Sequence, residues 1–168
     1  MAWKFLKNRE NKLIMKSSLF ILFVTLIFSS TSAYSQAMGA TYKNALGVKV
    51  WDGAGITFKS FGASKNAVEL IGYFYRNGAR ITGLYEIHGD ISGAPGLKWY
   101  VGPGAHVGFY SSRYGGGTFA GIDGVLGLDL KINRVPINLS IDWQPSFEFG
   151  ETRGFIGSWG GVGVRYAF

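Results

Sequence analysis

The feature that most constrains this chain is a period-two alternation of apolar and polar residues, recurring in eight segments between Ala45 and Phe168. Side chains alternate across a strand, so each segment has one apolar and one polar face. No stretch of useful length carries the 3.6-residue period of a helix. In Ala45–Trp51, Leu46, Val48 and Val50 oppose Gly47 and Lys49. In Gly55–Ser60, Ile56 and Phe58 oppose Thr57 and Lys59. In Asn66–Arg76, Val68, Leu70 and Phe74 oppose Glu69, and in Ala79–His88, Ile81, Tyr85 and Ile87 oppose Arg80, Thr82, Glu86 and His88.

The later segments alternate more cleanly. Leu97–Tyr110 sets Trp99, Val101, Ala105, Val107 and Phe109 against Lys98, Tyr100, His106 and three glycines. Thr118–Lys131 sets Ile122, Leu126, Leu128 and Leu130 against Asp123, Gly127, Asp129 and Lys131. Pro136–Phe149 sets Ile137, Leu139, Ile141, Trp143 and Phe147 against Asn138, Ser140, Asp142, Gln144 and Glu148. Phe155–Phe168 sets Val162, Val164, Tyr166 and Phe168 against Gly157, Gly161, Gly163 and Arg165. Eight such segments in series fit an antiparallel up-and-down barrel, which leaves no unpaired edge. Centring the second turn on Ser64 predicts Lys59 opposite Glu69. Centring the fourth on Gly93 predicts Glu86 opposite Tyr100 and Arg80 opposite His106.

Composition agrees with an all-β reading. All 26 glycines lie from Gly39 onward, a load that argues against helices, where each interior glycine costs about 1 kcal/mol relative to alanine. With 47% hydrophobic and 16% aromatic residues the chain is not a disordered polar tract. The absence of cysteine excludes a disulfide scaffold, a thiolate metal site and a cysteine-anchored lipoprotein.

Residues 1–35 differ in kind. Met15-Lys16 precedes an apolar run, Leu19–Phe28, and a tail of small residues, the pattern of a secretory signal peptide. Ten helical residues span about 15 Å, half of a hydrocarbon core, which disfavours a membrane-spanning anchor. Cleavage is expected after Ser35, with Ala37 as the alternative. Residues 1–14 read as an upstream extension, with Met15 as the expected start. The leader carries Lys4, Lys7, Arg9, Lys12 and Lys16 against Glu10, so most of the formal charge of +7 belongs to it. That removes the main support for nucleic acid as a partner.

Alternation does not say which face meets solvent. A soluble barrel of the lipocalin type would bury the apolar face, whereas a transmembrane barrel presents it to lipid around a packed polar lumen. Glycines on the polar face (Gly102, Gly104, Gly108, Gly121, Gly127, Gly157, Gly161, Gly163) suit a narrow bore. The ten steps from Trp99 to Phe109, tilted about 45°, rise about 23 Å, close to the apolar band of an outer-membrane barrel.

The stretches Gly55–Lys59, Ile81–His88 and Asn138–Phe147, with the alternating terminus Val162–Phe168, carry a resemblance. The chain from about Tyr42 to Phe168 resembles small eight-stranded bacterial outer-membrane barrels of the OmpA/OmpX-like class, as in Bacteroidetes-type porin-family proteins. The resemblance implies a transmembrane β-barrel over 42–168, located in the cell outer membrane. Its implied partners are outer-membrane lipid and the barrel assembly machinery, which would read the terminal Phe168. It implies a structural or interaction role, with a secreted lipocalin-like barrel for a small apolar ligand, or a lipid-modifying enzyme, as the alternatives.

Little chemistry accompanies the pattern. His88 and His106 are the only histidines, and neither has a His, Cys or carboxylate at metal-ligand spacing. Ser111 and Ser112 accompany no recognisable His–Ser motif, so no catalytic residue, metal site or cofactor is expected. Gly115-Gly116-Gly117 lacks the following Lys-Ser/Thr of a phosphate loop and reads as a turn. Asn138-Leu139-Ser140 matches a glycosylation sequon but lies within a strand. The charges expected in the lumen number four basic (Lys49, Lys59, Arg80, Arg165) and six acidic (Glu69, Glu86, Asp123, Asp129, Asp142, Glu148). Such near balance predicts mutual pairing in a filled bore, with Tyr100 and Trp159 as further plugs and no wide pore.

Overall fold

The structure, a computed structural model, describes residues 42–62, 65–76, 78–111, 116–149 and 154–168. Contacts divide the chain into Met1–Gln36 and Ala37–Phe168, and every described residue belongs to the second unit. The expected signal peptide, its start and its cleavage site lie outside the described residues, as does Ser112.

Ten strand runs follow in order: β1 Asn44–Val50, β2 Ala54–Phe61, β3 Asn66–Tyr75, β4 Gly78–Asp90 and β5 Leu97–Tyr110, then β6 Gly117–Lys131, β7 Ile137–Trp143, β8 Ser146–Phe149, β9 Phe155–Ile156 and β10 Gly160–Ala167. Each of β1 to β6 pairs antiparallel with its successor, β6 pairs with both β7 and β8, β10 pairs with β7, and β1 pairs with β10. The ring closes. β7 with β8, and β9 with β10, are each one long strand interrupted once, so the sheet is an eight-stranded antiparallel barrel.

Both interruptions have local causes. Pro145 has no amide proton to donate, but its carbonyl still accepts from Gly124 at 2.8 Å, so β7 and β8 keep one register against β6. In the partner strand three residues, Gly157-Ser158-Trp159, face only Gln144 and Pro145. The extra residue is a bulge, which re-aims side chains. Gly157, expected on the polar face, is exposed, while Trp159 turns inward against Tyr73 and Tyr75.

Register follows turn length. Lys59 lies opposite Glu69, as the Ser64-centred turn predicts. The fourth turn is different. It spans the residues between Ile91 and Leu97 and centres on Ala94, with Gly93 and Gly96 both at positive φ. Tyr100 therefore faces His88 rather than Glu86, and His106 faces Thr82 rather than Arg80. The slip is two residues, so every side chain keeps its expected face.

Burial is inverted relative to an ordinary globular domain. In β6, Ile122 is 57% exposed and its neighbour Asp123 only 6%; Leu128 is 41% exposed and Asp129 2%. The same holds around the ring: Val48, Ile56, Leu70, Ile81, Val101, Ile141 and Val164 face outward, and all ten charges expected in the lumen are buried. A small apolar cluster of Ile71, Tyr73, Leu84, Tyr100 and Val125 completes the interior.

Candidate functional site

The chemistry of the molecule is concentrated in its lumen, where strand parity aims every polar-face side chain at a common axis. Toward the end that carries residues 42 and 168, Lys59 is the centre. Its Nζ lies 2.8 Å from Glu86 Oε2 and 3.3 Å from Asp129 Oδ2, and sits 4.3 Å from the centroid of the Tyr100 ring. The Tyr42 hydroxyl and the Asn138 amide both donate to Asp129, at 3.0 and 2.7 Å. Asn138 is fully buried here, as expected for a sequon that lies inside a strand.

Half-way along the bore, Arg165 reaches across from β10 to pair with Glu69 of β3. Its Nε donates to Thr57 at 3.2 Å and its Nη1 to Asn138 Oδ1 at 3.1 Å and Ser140 at 2.8 Å. Lys49 pairs with Asp142 at 2.6 Å, and Asp142 also accepts from Tyr100 and Gln144. An ion taken out of water costs several kcal/mol, which close pairing and full hydrogen bonding must offset. The arrangement meets that condition at Arg165, whose every nitrogen donates.

A second group lies toward the other end. Arg80 pairs with Asp123 and donates from Nε to Thr82 at 3.0 Å, while its guanidinium sits 4.7 Å from the Trp159 ring centroid. His106 Nδ1 is 3.0 Å from Asp123, and Nε2 is 3.6 Å from Glu148. Back beside Lys59, His88 stacks on Tyr100 at 5.1 Å, with Nε2 3.5 Å from Glu86. The structure thus keeps the two histidines on separate carboxylates. Ser146, whose buried hydroxyl has no hydrogen-bond partner among the described residues, stands opposite Asp123 in the ladder. Sequence reasoning passed over Ser146 and Tyr42; strand parity could have placed the first in the bore, but Tyr42 precedes the alternation.

Close approach accounts for the luminal glycines. A β-carbon at Gly127 would lie 2.5 Å from the Tyr100 ring and 2.7 Å from the Asp142 β-carbon; one at Gly161 would lie 2.6 Å from the Lys49 side chain. Any larger residue would displace a member of the network.

At the mouth, Trp51, Asp52, Ser158 and Trp159 line a cleft of about 540 Å³, and the Trp51 indole donates to the Ser158 carbonyl at 2.7 Å. Gly116 and Gly117, both at positive φ, form the end of the turn into β6. At the opposite rim, Asp90 is shared by Lys65 at 2.7 Å and Lys98 at 3.6 Å; the Lys65 hydrogen bond and charge hold its carboxyl below the usual range. Among the described residues no group of three His, Cys, Asp or Glu could hold a metal ion.

With that geometry in hand, the comparisons add no relative: no family model, curated protein or solved structure matches the chain.

Proposed function

We propose that this barrel is an integral protein of a bacterial outer membrane, with lipid on its apolar face and a structural or interaction role without catalysis. The observation that carries the reading is the inverted burial, with Ile122, Leu126 and Leu128 outward and Asp123, Asp129, Lys59 and Arg165 inward. In water that outward band would be an apolar surface far beyond the few hundred Å² that soluble monomers expose. In a bilayer it is the expected exterior of a spanning barrel. Outward aromatics support the same reading, with Trp99, Tyr85, Tyr166 and Phe168 toward one end and Phe74, Phe109, Phe147 and Phe155 toward the other. The closer assignment to the OmpA/OmpX-like, Bacteroidetes-type class rests on the sequence resemblance alone.

The bore supports a plugged barrel. A lipocalin-like barrel needs an apolar cavity for its ligand, and here the interior is occupied by paired charges and by Tyr100, Tyr73 and Trp159. Planar-bilayer recording should therefore show no large, stable conductance. The deciding experiment is fractionation after expression with the native leader: the protein is expected in the membrane pellet and in detergent extracts. Mature protein that stays soluble without detergent would overturn the reading.

A further inference from the structure

Among the described residues the two rims of the barrel differ in charge. At the end carrying residues 42 and 168, Lys43, Lys65, Lys98, Lys131 and Arg134 sit beyond or at the strand ends, against the side-chain carboxylate of Asp90 and the α-carboxylate of Phe168. At the other rim the described residues offer Asp52 and Arg76, which balance. Building on the membrane reading, we propose that this basic collar binds the phosphate groups of anionic phospholipids in the adjoining leaflet.

Position argues for a lipid partner. Lys98 directly precedes the outward Trp99, and Asn66, next to Lys65, donates to the outward Tyr85 hydroxyl at 2.7 Å. The collar thus lies one step beyond the interfacial aromatics, the level at which headgroup phosphates sit when acyl chains cover the apolar band. Long cationic side chains at this rim extend past the strand ends to the level of the headgroup phosphates.

Backbone strain points the same way. Arg134 has φ of 62°, in the left-handed region that glycine and asparagine favour, and it is exposed. The turn thus places its one non-glycine residue at positive φ where a guanidinium is exposed at the rim. Lys131 differs from the rest, because its ammonium donates to the carbonyls of Ile132 and Val135 and ties the same turn.

The test is electron spin resonance of spin-labelled phosphatidylglycerol and spin-labelled phosphatidylcholine around the protein in phosphatidylcholine bilayers. Both lipids should show an immobilised component, with phosphatidylglycerol preferred roughly three- to tenfold at low salt. The preference should vanish near 1 M salt, where the Debye length is about 3 Å. The variant K43Q/K65Q/K98Q/R134Q spares Lys131 and should abolish the preference, with barrel formation checked by heat-modifiable migration. Asp90→Asn should increase it. Equal immobilisation of the two lipids by the native protein would overturn the collar proposal and leave the membrane reading standing. No immobilised lipid at all would remove both. Selectivity that survives the quadruple variant, or displacement of phosphatidylglycerol by polyglutamate at matched charge, would also overturn it, the latter assigning the rim to an acidic polypeptide.

Discussion

Arg165, on the last strand, and Glu69, on the third, form an ion pair across the bore with neither side chain exposed to solvent. The pair joins elements that are not neighbours in the sheet, so it ties opposite walls of the barrel. Removing Glu69 leaves the buried Arg165 guanidinium without its counter-ion, which costs about 3–5 kcal/mol, whereas Glu69 without Arg165 keeps Lys49 and Lys59 at 3.6 and 3.7 Å. Glu69→Gln is expected to lower stability by that order in urea titrations of the bilayer-folded protein, and Arg165→Met by less. The double replacement should lose clearly less than the sum of the two. Additive losses would mean that the pair is not coupled.

Ile122 tests the orientation of the faces. It is exposed on the outward side of β6, opposite Ala105 and so between the levels of Trp99 and Phe109, and Ile122→Arg is expected to cost about 2–4 kcal/mol in a bilayer. Val135, also exposed but in the β6–β7 turn, should accept arginine for about 0–1 kcal/mol. Equal costs at the two depths would contradict a lipid band centred on Ile122.

Gly127 tests the packing of the lumen. Gly127→Ala places a methyl group against Tyr100 and Asp142 and is expected to destabilise by about 1–3 kcal/mol. Gly72→Ala meets no atom within 4 Å and should be neutral or slightly stabilising, since alanine loses less backbone freedom. The comparison of the two unfolding midpoints checks it, and similar losses at both sites would argue for a loose bore.

The architecture was largely legible before any coordinates, and the reason is parity. Alternation fixes which face a side chain takes without reference to its partner, so all ten luminal charges and the limits of β5 follow from sequence alone. What escaped was set by turns and bulges. The turn around Ala94 moved Tyr100 from Glu86 to His88, and the extra residue at Gly157–Trp159 put Gly157 outside the bore, although Trp159 lies inward as expected. Neither event changes the hydrophobic pattern on either side of it. Ile71, Leu84 and Val125 were also missed as interior residues, because an apolar side chain on the polar face breaks the alternation instead of advertising itself. The individual ion pairs depend on register and reach, and near balance of charge predicted only that pairs would form.

Phe168 tests the assembly signal that the family resemblance implies. Its backbone exchanges two hydrogen bonds with Asn44, at 2.7 and 2.8 Å, and its ring is exposed on the outward face. Deleting it removes both bonds along with an apolar side chain worth about 1.5–3 kcal/mol, a loss the barrel should survive on refolding into detergent. In cells the truncated chain is expected to assemble poorly. Heat-modifiable migration of the cell-made and refolded proteins checks this, and normal assembly in cells would show that the terminal ring is not read.

The pairing of β1 with β10 also sets the timetable of the chain. Its ladder, from Ala45 with Ala167 to Val50 with Val162, joins residues more than a hundred positions apart. Closing so long a loop in a disordered chain costs about 3 kcal/mol more than closing a four-residue hairpin. As the chain assembles β1 can zip to β2 early, yet its other edge stays bare until β10 is in place. Throughout that interval the unfinished sheet has two sticky margins, each able to pair with the wrong strand or with a second unfolded copy. The ring is therefore most vulnerable in the moments before its last strand arrives, and whatever shields β1 during that wait decides whether a barrel or an aggregate results.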